Sequence, residues 1–240
     1  MKNIPVTFLF DYREVSDTLR SYIWHEFADN GARHIVLDNS LINRILSAPH
    51  LTQVLTEEIA AAGMTFVDAH APFGVFADML NCADDSRRRL MLARQKAVIE
   101  ITADMGVDTL TLHTGACCTP EEWAIPREKH RERIAAALDQ LLPAAERLGV
   151  TLCLENGWHM VNHPDMLLEI RQQFQSESLG FCYDAGHANL MDRSKTSEEG
   201  TVLRAWSGGG YTLDTIPWDD RILEKCFLTW LTVICMTTTE

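Results

Sequence analysis

The chain has 240 residues, 46% of them apolar and 23% charged, with a net charge of −13 at neutral pH. That length supports one large core and is read as one domain over residues 1–240. The charge repels phosphate backbones and anionic membranes, which counts against nucleic-acid and membrane partners.

Short β-rich apolar runs alternate with longer stretches of helical periodicity. The first run is VTFLF (6–10), followed by a helix expected over 14–30. HIVLD (34–38) comes next, then a helix over 50–62 and the run MTFVDAH (64–70). A helix over 86–105 leads to TLTLHTG (109–115); Arg87-Arg88-Arg89 within it reads as a solvated face. The clearest helix is 127–148, with Ile134, Leu138, Leu141, Leu142 and Ala145 on one stripe and Gly149 as its stop. Pro143 is expected to kink or interrupt it. VTLCLEN (150–156), a helix over 164–176 and LGFCYDAGH (179–187) complete the series. Runs that are apolar along their whole length suit parallel strands covered on both faces. The alternation predicts an α/β protein, either a doubly wound sheet or a (β/α) barrel. No GxGxxG follows the first strand, so a dinucleotide fold has no support.

Seven cysteines occur, an odd number with no CxxC, and Cys153 and Cys182 sit inside apolar runs. That usage points to a reducing compartment rather than a disulfide framework. With no signal-peptide pattern and no long apolar run, a cytoplasmic location is expected.

The strand runs end in potential ligands. The third ends in His70, the fourth in His113, the fifth in Glu155, and the sixth in Asp184 with His187 three residues on. Taken singly, each has a plainer reading. A histidine after a strand is commonly a turn residue, Asp184 before Ala-Gly could cap a turn, and Asn156-Gly157 resembles turn chemistry. Taken together, the strand C-termini of a (β/α) barrel open on one face, so these residues would meet in one bowl. Mixed oxygen and imidazole ligands suit a divalent ion such as Mn, Co, Zn or Mg. Such an ion beside a carboxylate base eases proton removal next to a carbonyl. Asp68 shares its strand face with His70. The remaining histidines read as structural or solvated, with His159 at the rim. Trp158, Phe73 and Trp206 are candidates for an apolar wall of the bowl.

VDAHAPFG (67–74), LTLHTG (110–115), LCLENGW (152–158) and above all FCYDAGHANL (181–190) resemble the xylose-isomerase-like TIM barrel superfamily. That group holds sugar and sugar-phosphate isomerases and epimerases, inosose dehydratases and the zinc-dependent type IV apurinic endonucleases. The resemblance covers about residues 4–190 and implies a (β/α)8 TIM-barrel-like fold. By position it implies metal ligation by Glu155 and Asp184, with His70 and His113 as further ligands or pocket residues. It implies acid–base work by Glu155, and substrate contact by His187 together with His70 and Trp158. The family's seventh-strand histidine and eighth-strand glutamate have no counterpart. GGGYTLDTIPWDDRIL resembles the stretch after the seventh strand, and LTVICM (231–236) resembles the eighth strand. Only 56 residues follow Asp184, whereas a full barrel runs to about 250 in all. An incomplete or irregular C-terminal end is expected over 191–240, with weak metal binding and a homo-oligomer partner covering open strand edges.

Three functions follow. The first is a metal-dependent sugar or sugar-phosphate isomerase or epimerase. The second is a degenerate or truncated barrel that binds a metal or small ligand without turnover. The third, disfavoured by the net charge, is a zinc-dependent apurinic endonuclease.

Overall fold

The computed structural model describes residues 6–74, 77–117, 120–157, 159–185, 187 and 232–234. Among the described residues the apolar runs build one sheet of seven parallel strands: β1 (Thr7–Phe8), β2 (His34–Leu37), β3 (Thr65–His70), β4 (Thr109–Leu112), β5 (Thr151–Glu155), β6 (Leu179–Asp184) and β7 (Thr232–Ile234). Each strand pairs with the next one in the chain, and the order never reverses. A doubly wound sheet reverses its order at a switch point. An unreversed order with right-handed crossovers keeps the connecting helices on one face and is that of a barrel wall.

The helices are α1 (Asp17–Asp29), α2 (Asn39–Ser47), α3 (Leu51–Ala61), α4 (Asp85–Asp104), α5 (Pro120–Trp123), α6 (Arg127–Leu148) and α7 (Pro164–Arg171), with a 3-10 turn at Met160–Asn162. In α6 the expected stripe is buried, and Gly149 closes the helix in the left-handed region at φ 69°. Pro143 does not interrupt α6. It sits on the exposed side, where water can reach the carbonyl that loses its intrahelical donor. No helix was expected over α2. Asp38 reads in sequence as the end of a strand, but its carboxylate accepts from the Ser40 and Leu41 N–H groups and starts a helix.

The run at 231–236 is expected as an eighth strand; among the described residues its Thr232–Ile234 is the seventh. Thr232, Val233 and Ile234 pair with Cys182, Tyr183 and Asp184. Among the described residues β1 and β7 are therefore the edges of the wall. Inside it, Cys153 and Cys182 stand two residues before Glu155 and Asp184 on the same face and pack with Leu9. Cys82, Cys117, Cys153 and Cys182 are not in disulfides. Among the described residues no helix is long and apolar enough to cross a membrane.

Candidate metal and acid–base site

Parallel pairing in chain order brings the strand ends to one level. His70 is the last residue of β3, Glu155 of β5 and Asp184 of β6, while His113 follows β4 by one residue. Period-two alternation then turns Glu155 and Asp184 to the same side as Cys153 and Cys182. Glu155 is the hub. Its Oε2 lies 3.2 Å from His70 Nε2 and 2.8 Å from His113 Nε2. Its Oε1 lies 3.8 Å from His187 Nδ1, which is also 3.8 Å from Asp184 Oδ2. Two sets of ligand atoms share this hub, His70–His113–Glu155 and Glu155–Asp184–His187, and within each set all atoms lie within 4.8 Å of one another.

Glu155 and Asp184 are fully buried. Glu155 Oε1 and Asp184 Oδ2 find no hydrogen-bond donor among the described residues. A buried carboxylate oxygen without a donor is costly unless a proton or a cation neutralises it. Burial lifts the Asp184 pKa to about 6, with His187 opposing and Glu155 adding to the rise. Burial would raise Glu155 too, but the charge of His113 and the hydrogen bonds from His113 and His70 hold it well below the usual carboxylate range. For His113 burial pulls downward, and the Glu155 charge with hydrogen bonds to Asp78 and Glu155 lifts it to about 10. Beneath them burial pushes the Cys182 thiol well up, so it stays neutral. Two orphaned carboxylate oxygens flanked by imidazoles fit a divalent ion held mainly by Glu155 and Asp184.

His187 stands apart as a ligand. Its Nδ1 donates to Asn156 O at 2.8 Å, so a contact from this ring to a bound molecule falls to Nε2. Phe73 is 51% exposed and packs edge-on against His70 and His113 with centroids 5.3 and 5.5 Å away. Asp68 is buried and accepts from Thr109 Oγ1 at 2.6 Å. Trp158 and Trp206, expected against the substrate, lie outside the described residues.

Two residues at the site were not candidates for it in the sequence. Asp78 accepts from His113 Nδ1 at 2.8 Å across 35 positions of chain, a separation no local pattern reveals. Asn156, which resembles turn chemistry, is buried between β5 and β6. Its Oδ1 accepts from Asp184 N at 2.8 Å and its Nδ2 donates to Asp184 O at 3.0 Å.

The profile of the family described as xylose isomerase-like TIM barrel matches residues 26–219. Over 128 residues the chain is 29% identical to an uncharacterized protein of Methanocaldococcus jannaschii, an alignment that covers 50% of this chain and 41% of that one. The chain thus spans less than half the length of that curated relative. Among solved structures it is similar to D-psicose 3-epimerase with D-tagatose from Clostridium cellulolyticum H10, with a TM-score of 0.65 at 14% identity over 85% of this chain and 71% of the other. It is also similar to the IOLI protein with a bound zinc atom, with a TM-score of 0.62 at 17% identity over 82% and 67%. At these identities the structural likeness is one of fold.

Proposed function

For a chain that belongs to the xylose isomerase-like TIM barrel family, we propose a metal-dependent isomerase or epimerase of sugars or sugar phosphates that works by proton transfer next to a carbonyl. The observation that carries this reading is the pair of buried oxygens, Glu155 Oε1 and Asp184 Oδ2, each 3.8 Å from His187 Nδ1 and both without a hydrogen-bond donor among the described residues. Glu155 and Asp184 hold the ion, with His70 and His113 as further donors. A bound divalent ion supplies Lewis acidity toward the sugar carbonyl and its neighbouring hydroxyl. Glu155 accepts the proton from the carbon beside the carbonyl, and the C–H electrons pass into an enediolate. Return of that proton from Glu155 to the adjacent carbon, with the hydroxyl proton passing to the former carbonyl oxygen, gives isomerisation without a second base at carbon. His187 donates from Nε2 to a substrate hydroxyl, its ring fixed by Asn156 O. Phe73 offers an apolar edge to the sugar at the mouth. Free thiols support a reducing, cytoplasmic setting.

One observation favours a second reading, a barrel that binds a metal or sugar without turnover. Ile234, an apolar residue, is in register with Asp184 on the last described strand. Deuterium exchange separates the two readings. Metal-loaded protein is incubated in D2O with a panel of ketohexoses, and label at the carbon next to the carbonyl is followed by NMR. Uptake with the wild type and none with Glu155→Gln is expected. Stoichiometric metal with no exchange on any sugar would select the binding-only reading.

A further inference from the structure

We propose that Asp78 is a positioning residue for His113, fixing the ring so that Nε2 faces Glu155 and the bowl. The role in metal binding rests on the site proposed above; the hold on the ring does not. His70, His113 and His187 all have Nδ1 tied to an acceptor 2.8 Å away, but the acceptors differ. His70 and His187 use the backbone carbonyls of Ala71 and Asn156. His113 uses a carboxylate, Asp78 Oδ2, whose residue is only 4% exposed. A buried carboxylate aimed at the outer nitrogen of a ligating histidine fixes the ring's tautomer and orientation and makes the inner nitrogen a better donor to a metal.

The segment that carries Asp78 is pinned on both sides by groups that lie outside the bowl. Gln95 of α4 donates Nε2 to Ala77 O at 2.7 Å. Asn81 donates Nδ2 to Ala116 O at 2.8 Å and to His130 Nδ1 at 3.2 Å. Gln95, Asn81 and His130 are all buried. Burying such groups is unfavourable unless they are hydrogen-bonded, so their bonds specify one path for the backbone around Asp78. Gly115 passes so close that a Cβ there would lie 1.9 Å from Asn81 Oδ1. Ala77 and Asn81, on either side of Asp78, are therefore both tied down, and Asp78 is directed at His113 from between them.

Two variants test the role. Asp78→Leu removes the acceptor at similar volume, and Asp78→Asn keeps an oxygen that can accept. Imidazole 15N–1H spectra are recorded on metal-free and zinc-loaded protein, with His113→Gln used for assignment. Zinc affinity is measured by competition with a chelating dye. In the wild type a low-field, slowly exchanging Nδ1–H of His113 is expected in both forms. Asp78→Leu loses it and binds zinc about 10–100-fold more weakly, while Asp78→Asn recovers most of both. Absence of that proton signal in the wild type, or zinc affinity of Asp78→Leu within twofold of wild type, overturns the inference. A wild type that shows the signal but binds no zinc supports the hold of Asp78 on the ring and sinks the metal reading instead.

Discussion

Asp184 concentrates the conflict of the site in one side chain. Its pKa is raised by burial from 3.8 to about 6, so the folded chain holds this proton more tightly than the unfolded chain does. The metal-free fold therefore gains from Asp184 fully below pH 3.8 and loses that gain as pH climbs through about 6. At neutral pH the ionised carboxylate opposes folding by on the order of 3 kcal/mol. Asp184→Asn keeps an oxygen for the His187 N–H and removes the charge. Its metal-free melting temperature, read by calorimetry with chelator present, is expected to exceed that of the wild type, and added metal should no longer raise it. Metal binding needs the ionised form, so the Asp184 contribution to affinity should fall about tenfold per pH unit below its pKa and level off above it. Titrations at several pH values check that slope; equal affinity on both sides of the Asp184 pKa would refute it. His70, His113, Glu155, Asp184 and His187 were legible because each ends or closely follows an apolar run. Asp78 was not, because its partner is remote in the chain and its own surroundings read as loop.

At the scale of elements, the site depends on ties between strand ends. Asn156 lets its side chain extend the β5–β6 ladder one step past the last backbone pair, and its carbonyl orients His187. Asn156→Ala leaves the buried Asp184 N–H and carbonyl without this partner and is expected to destabilise the chain by about 2–4 kcal/mol in denaturant unfolding. A change below 0.5 kcal/mol would contradict the role given to this side chain. Gly115→Ala should be more disruptive than its size suggests. Gly115 has φ +133°, and its new methyl group would fall on Asn81 Oδ1. A loss of at least about 2 kcal/mol is expected from strain and from displacing Asn81; an unchanged unfolding midpoint would contradict it. Periodicity exposed the long helices well, α6 above all. It failed at α2 because a single carboxylate, Asp38, ends the strand side and caps the helix side of one junction. It overstated Pro143 because an exposed position lets water replace the lost donor.

At the largest scale, the described strands form a barrel wall built in chain order, and that order is what gathers residues from β3 to β6 into one bowl. The barrel class and the shared strand-end level were readable from alternation and from where the polar residues fall. The position of the last strand was not, since a short apolar run at 231–236 carries no information about its neighbour in the sheet. Its pairing with β6 puts Ile234 beside Asp184, so the ion would rest on Glu155 and Asp184 with the histidines of β3 and β4. Metal analysis of wild type and Glu155→Ala, after equilibration with manganese, cobalt, zinc or magnesium and removal of excess, tests this directly. Stoichiometric metal in the wild type and its loss in Glu155→Ala are predicted; a wild-type chain that retains no stoichiometric metal under any of these ions would contradict the site as described.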